Sequence, residues 1–133
     1  MLLVNELRLG NYILHKVNNK IITARCTIEH FNILLHGDSK LIYPIVLKAE
    51  LLEICGFVDN KEYALYPDAR EYKLLLGVNG GDKNEIYGYI KNNGECFGRA
   101  IVNGAIASNN FFRLHQLQNL FYSLTGEELS LKL

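Results

Sequence analysis

Apolar residues recur at steps of three and four near the end of the chain. The four that set the pattern are Leu114, Leu117, Phe121 and Leu124. This spacing places them on one side of an α-helix, so the segment has to cover an apolar surface elsewhere in the fold. The sequence therefore predicts an amphipathic helix from Phe111 to Thr125 that closes the core.

Both ends of this helix carry the expected signals. Asn109 or Asn110 can accept hydrogen bonds from the free N–H groups of the first turn. At the other end, Gly126 can adopt the left-handed conformation that commonly ends a helix. Polar and apolar residues alternate over 127–133, which favours a terminal strand.

The first 47 residues are typical of short strands separated by turns. We predict strands at 11–16, 21–26, 31–35 and 40–43. The two asparagines at 18 and 19 tolerate the positive φ of a tight turn between the first two strands. Strands this short favour a small, partly closed antiparallel sheet.

The second half combines one short helix with a β-meander. A helix is predicted at 48–55, with Gly56 as its stop signal. Strands follow at 62–66, 71–76, 85–90 and 96–102, and the turns at 79–82 and 92–95 contain Asn and Gly. The predicted fold class is α+β. We expect one domain over 1–133, with a barrel-like sheet at 1–47 packed as one unit with residues 48–133.

Composition limits the classes of function. The 133 residues suit one domain, and 49% of them are hydrophobic. The 14 basic and 14 acidic residues give a net charge of zero and are scattered, which argues against bulk nucleic-acid binding. A net charge near zero also does little to oppose homo-oligomerisation, so the sequence leaves that state open.

Segment composition also bears on location. No apolar run approaches the roughly 20 residues that a membrane span needs, and the first residues lack the pattern of a signal peptide. The three cysteines, Cys26, Cys55 and Cys96, are far apart and are typical of buried apolar residues in a reducing compartment. We expect a cytoplasmic protein that does not engage the membrane.

The run from His115 to Leu129, HQLQNLFYSLTGEEL, carries a resemblance. It is similar to the C-terminal signature, of the type HQLQNLYFALTGEEL, of a family of small proteins from Bacteroidota and their phages. Segments 5–12, 43–47 and 51–57 fit the same family. The polar residues of the motif are His115, Gln116, Gln118 and Asn119. The resemblance implies a phage or prophage accessory protein with an SH3-like N-terminal part, and it implies no particular activity.

Catalytic and metal motifs are not evident in the sequence. No two histidines or cysteines have the close spacing of metal ligands, and no serine or cysteine has the flanking residues of an activated nucleophile. We therefore predict no metal, no cofactor and no enzymatic activity. His115 and Gln118 are expected to bind backbone groups of the sheet that the last helix covers.

Two neighbouring strands of the meander carry a candidate ligand surface. Tyr87, Tyr89, Phe97 and Arg99 could stack on the base of a small nucleotide. The alternative is that these side chains belong to the core, because strand residues alternate between two faces.

The function predicted from sequence is non-enzymatic binding of a host protein or a partner subunit. The alternatives are a protein that sequesters a nucleotide or signal molecule, and a structural component of a virion.

Overall fold

The computed structural model describes residues 4–60, 69–76 and 84–131. Helices and antiparallel sheets make up this part of the chain, which confirms the α+β class. The predicted strand at 62–66 and the turn at 79–82 lie outside the described residues. The chain divides into two compact units, Met1–Val46 with Arg113–Asn119 and Leu47–Phe112 with Leu120–Leu133. That the chain forms a single domain stays a prediction.

The first unit contains a three-stranded antiparallel sheet in the order β2-β1-β3. Its strands are β1 (Tyr12–Val17), β2 (Lys20–Arg25) and β3 (Ile42–Tyr43). Asn18 and Asn19 have φ angles of 51° and 62°, as the predicted tight turn between β1 and β2 requires. Short 3-10 helices cover Val4–Glu6 and Ser39–Leu41.

A helix replaces the strand predicted at 31–35. Helix α1 (Ile28–His36) begins after Thr27, whose backbone N–H donates to Nδ1 of His30 at 2.9 Å. The prediction was wrong because a short apolar run does not distinguish a buried strand from a helix. The helix packs partly buried side chains against the core of this unit, which consists of Ile13, Cys26 and Ile42.

The predicted strand at 40–43 is shortened to its last two residues. Asp38 accepts a hydrogen bond from the Lys40 N–H at 3.1 Å, which caps the 3-10 helix that takes the first two positions. With α1 in place of one strand, the described strands of this unit form an open sheet and no closed barrel.

The second unit contains the predicted short helix, α2 (Ala49–Ile54), and a five-stranded antiparallel sheet. Gly56 follows the helix with a φ of 93°, as predicted. The strands follow one another in sequence order: β4 (Val58–Asp59), β5 (Ala69–Leu75), β6 (Asn84–Lys91), β7 (Cys96–Val102) and β8 (Ala105–Ile106). The meander is therefore confirmed over β5, β6 and β7.

The last helix, α3 (Leu114–Thr125), begins three residues later than predicted. Residues 111–113 are extended because Phe111 pairs with Gly98 and Arg113 pairs with Val46. Asn109 and Asn110 therefore do not cap the helix. Instead, Oε1 of Gln116 accepts the N–H of Arg113, the residue before the helix, at 3.1 Å. Gln116 is the third residue of the helix, where the Glu or Gln of a capping box makes this bond.

The predicted end of α3 is confirmed, since Gly126 follows Thr125 with a φ of 73°. The terminal strand was a wrong prediction over the described positions 127–131, which form no regular element. None of the described helices is long and apolar enough to cross a membrane.

Candidate functional site

The sheet of the second unit brings the four predicted ligand-binding residues to one face. Tyr87 lies opposite Arg99, and Tyr89 lies opposite Phe97, in the register of β6 and β7. Residues directly opposite one another point to the same face. The Tyr89 and Phe97 rings are stacked with centroids 5.1 Å apart, and the Arg99 guanidinium carbon lies 5.4 Å from the Tyr89 centroid. The predicted side chains therefore form one cationic and aromatic cluster.

Only part of this cluster borders open space. Tyr89 is fully buried, and the Tyr87 hydroxyl donates to the Glu85 carboxylate. Burial and this hydrogen bond both raise the pKa of Tyr87. Phe97 and Arg99 line a pocket although they are only 5% and 9% exposed, whereas Tyr87 is half-buried and lies outside the lining. Tyr89 and Phe97 belong to the core, as the alternative interpretation expected.

This pocket has a volume of about 510 Å³, which lies within the range of small-molecule sites. Its lining residues are Ala69, Lys91, Asn92, Asn93, Glu95, Phe97, Arg99, Asn110 and Phe112. All of them belong to the second unit.

The turn between β6 and β7 positions the charged residues of the rim. Gly94 has a φ of 88°, and Oδ1 of Asn93 accepts the Glu95 N–H at 3.0 Å. Lys91 and Glu95 face each other across this turn at 3.8 Å. The Lys91 ammonium nitrogen also lies 5.7 Å from the Phe97 ring centroid, within the range of a cation–π contact.

Phe112 reaches the pocket because the chain before α3 is extended. The Phe111 ring packs against Gly98, where an added Cβ would meet it at 2.5 Å. Neighbouring residues of an extended segment point in opposite directions, so Phe112 lies on the other face. Its ring is 42% exposed and its centroid lies 6.3 Å from that of Phe97.

Lys91 and Phe112 were not predicted from the sequence as site residues. The alternation of Tyr87 and Tyr89 on one face continues to Lys91, so the period of two could have found it. Phe112 was not identified because the sequence pattern assigned it to the helix. Its extended conformation follows from the pairing of its neighbour Phe111 with Gly98, which is distant in sequence.

The lining of the pocket combines charged, aromatic and amide side chains. Two cations, Lys91 and Arg99, outnumber the carboxylate of Glu95, and three asparagines can donate and accept hydrogen bonds. The lining residues that the structure describes include no serine, cysteine or histidine. The pocket therefore offers aromatic surface, two cations and hydrogen-bonding amides.

The polar residues of the C-terminal motif lie elsewhere, in the first unit. Oε1 of Gln118 accepts the Tyr12 N–H at 2.8 Å, so the predicted bond to the sheet backbone is confirmed. Oδ1 of Asn119 accepts from Nδ2 of Asn11 at 2.8 Å and from Nε of Arg8 at 3.2 Å. These bonds attach α3 to the start of the chain, which gives the two residues a structural role.

His115 has a different partner from the one predicted. Its Nε2 lies 3.5 Å from Oε2 of Glu6, and the ring is fully buried without the expected backbone bond. Burial lowers the pKa of His115, while the neighbouring Glu6 carboxylate opposes that shift. Arg113 also lies close to this carboxylate, with Nη1 at 3.7 Å from the same oxygen.

Other titratable residues do not assemble into a second site in the described ranges. His15 and His30 meet edge to face with centroids 5.0 Å apart, and the three cysteines are buried and free. No group of three or more His, Cys, Asp or Glu among the described residues could hold a metal ion.

The described part of the chain is thus an α+β fold of two units, and the second unit carries a pocket lined by cationic, aromatic and amide side chains. Comparison of the chain with protein-family models, curated proteins and solved structures gives no match. Membership of the phage-associated family therefore stays a prediction that rests on the C-terminal motif.

Proposed function

We propose that this is a non-enzymatic binding protein whose pocket in the second unit takes a small nucleotide. The observation that carries the proposal is the meeting of Lys91 and Arg99 with the rings of Phe97 and Phe112 around one pocket. A nucleotide combines the two features that such a site recognises, a flat base and a phosphate.

The expected contacts are of two kinds. The exposed Phe112 ring offers a face for a base, and a base stacked on an aromatic side chain gains about 1–3 kcal/mol. Charge-assisted hydrogen bonds from Lys91 to the phosphate contribute about 1.5–3 kcal/mol each. After the cost of association, these contacts support a dissociation constant on the order of 0.1 mM for a nucleoside monophosphate.

Sequestration of a nucleotide or a nucleotide signal is the biological role that fits this pocket. The sequence leaves this role open as an alternative to partner binding, and the geometry of the pocket favours it. A cytoplasmic location, a phage or prophage origin and a role as a virion component stay predictions.

Isothermal titration calorimetry with the four ribonucleoside 5′-monophosphates tests the proposal. We expect at least one of them to bind, with the matching nucleoside weaker because it lacks the phosphate. Lys91→Glu should weaken binding by about tenfold or more, since it replaces an attractive charge by a repulsive one. Lys40→Glu is the control, because it makes the same charge change at an exposed position of the first unit.

Phe112→Ala provides a second, independent readout. The side chain is 42% exposed, so its removal should leave the fold intact while it takes away the surface for the base. The proposal is wrong if no nucleotide binds at millimolar concentration, or if Lys91→Glu and Phe112→Ala bind as tightly as the original protein.

A further inference from the structure

Strand β2 forms one edge of the sheet in the first unit. Among the described residues it pairs with β1 alone, in an uninterrupted register from Tyr12 opposite Arg25 to Val17 opposite Lys20. Five of its six residues are exposed. The edge is therefore accessible and free of the bulges and prolines that commonly protect such strands.

The register identifies which backbone groups face outward. Val17 and Lys20 flank a two-residue turn, and residues in that position exchange both hydrogen bonds. Every second residue from Lys20 onward then bonds to β1. The N–H and C=O groups of Ile21, Thr23 and Arg25 consequently point away from the sheet.

The side chains of this edge are apolar in the middle and basic at the ends. Ile21 and Ile22 are 60% and 47% exposed and lie on opposite faces of the strand. The hairpin over 12–25 contains Lys16, Lys20 and Arg25 and no Asp or Glu.

A hollow continues the edge beyond Arg25. It is lined by Leu9, Cys26, Thr27, Ile28 and Glu29. The Leu9 and Ile28 side chains are 53% and 67% exposed, so the hollow can take an apolar side chain.

We infer that β2 binds an extended segment of another protein, in which acidic residues flank alternating apolar ones. The segment would add a strand to the sheet, a mode in which main-chain hydrogen bonds give affinity and side-chain sites give specificity. A second copy of β2 is a poorer occupant, because it would bring the basic side chains of its own Lys20 and Arg25 to an edge that already carries these two basic residues. This inference does not depend on the nucleotide site, which lies in the other unit.

The test uses the full chain and the fluorescent peptide Ile-Glu-Val-Thr-Val-Thr-Glu. In an antiparallel arrangement its two glutamates lie opposite Arg25 and Lys20, and its isoleucine reaches the hollow. Fluorescence anisotropy at low salt should give an affinity about tenfold higher than for the matched peptide Ile-Lys-Val-Thr-Val-Thr-Lys. The double variant Lys20→Glu with Arg25→Glu should reverse this preference.

Two further variants separate backbone pairing from general attraction. Thr23→Pro removes an outward N–H at a position where an edge strand tolerates proline, and it should abolish binding while circular dichroism stays unchanged. Ile28→Asp alters the hollow at the first position of α1, where Asp suits the helix, and should weaken binding severalfold. Ile106→Asp makes the same change at an exposed residue of the second unit and should have no effect.

The inference is overturned if the wild-type chain binds neither peptide, or binds both equally. It is also overturned if the double variant keeps the original preference, or if a folded Thr23→Pro variant binds normally. Sedimentation that reveals a dimer broken by Thr23→Pro would show that a second copy occupies the edge, which likewise contradicts it.

Discussion

The Gln118 side chain accepts a backbone hydrogen bond that a neighbouring strand would otherwise accept. Strand β3 ends at Tyr43, opposite Leu14, and the carbonyl of Ile45, two residues further on, accepts the Leu114 N–H at 2.8 Å. The Tyr12 N–H points to the same side of β1 as that of Leu14, two residues away. The Gln118 side chain accepts it at 2.8 Å, so a residue of the helix completes the hydrogen bonding of the sheet.

Gln118→Met should therefore reduce the free energy of unfolding by about 1–3 kcal/mol. The substitution keeps the volume of the side chain but leaves the Tyr12 N–H without its acceptor. Urea unfolding followed by circular dichroism measures the change. Leu117→Met, at the fully buried neighbouring position, is the control and should cost less than about 1.5 kcal/mol. Equal losses for the two variants would contradict this role of Gln118.

His115 predicts a dependence of stability on pH. Its pKa is lowered in the folded protein, chiefly by burial and against the opposing effect of Glu6. The unfolded chain therefore binds the proton more readily, so stability is complete above the ordinary histidine pKa and decreases as the pH falls below it. His30 contributes in the same direction, because burial and His15 lower its pKa as well.

Urea unfolding at pH 8 and pH 5 measures this effect. We expect the wild-type protein to be less stable at pH 5, and the His115→Gln variant to lose less stability between the two values. A loss of the same size in the variant would show that His115 does not cause the dependence.

At the scale of elements, α1 depends on an unusual cap. His30 stands where Glu or Gln commonly accepts the N–H of the capping residue, and its Nδ1 accepts the Thr27 N–H at 2.9 Å. His30→Ala should reduce the free energy of unfolding by about 1 kcal/mol or more, because the helix loses this bond. His30→Gln restores an acceptor and should recover most of the loss in the same urea experiment. The cap is not the cause if Gln is as destabilising as Ala.

Two glycines of the meander mark close packing in the second unit. A Cβ at Gly98 would meet the Phe111 ring at 2.5 Å and the Tyr87 backbone oxygen at 3.1 Å, whereas the atoms nearest to one at Gly88 belong to the Leu52 side chain. Gly98→Ala should lower stability by about 1–3 kcal/mol, and Gly88→Ala by less, because the Leu52 tip can shift. Thermal unfolding of the two variants compares them, and the reverse order would contradict this packing.

The elements that the sequence predicted correctly are those with a local signal. β7 has its predicted bounds, and the Asn18–Asn19 turn and the stops at Gly56 and Gly126 follow from residues that tolerate positive φ. The wrong predictions depend on distant partners. Residues 31–35 become helical because of a histidine cap and the core that they cover, and residues 111–113 are extended because Phe111 pairs with Gly98.

The candidate site likewise combines features with a local sequence signal and features that depend on distant partners. The alternation along β6 and β7 was enough to place Tyr87, Tyr89, Phe97 and Arg99 on one face. It could not show that Tyr89 is fully buried, because burial depends on the whole fold. Phe112 reaches the pocket because residues 111–113 are extended, whereas the sequence pattern predicted a helix there.

At the scale of the whole molecule, a chain of zero net charge carries basic side chains at two separate places. One is the pocket with Lys91 and Arg99 in the second unit, and the other is the β2 edge in the first. Because the two proposed sites share no residue, Lys91→Glu should leave peptide binding unchanged. The Lys20→Glu with Arg25→Glu variant should likewise leave nucleotide binding unchanged. Calorimetry and anisotropy on both variants check this independence, and loss of both activities in either variant would contradict it.

The pocket of the second unit is the centre of this account, and its most direct test is the location of a bound nucleotide. Amide NMR spectra of the labelled protein, recorded with each of the four ribonucleoside 5′-monophosphates, provide that location. We predict saturable shifts for residues 91–97 and for Asn110 and Phe112 with at least one nucleotide. Spectra that do not change with any of the four, or that change only for residues 4–46, would contradict the account.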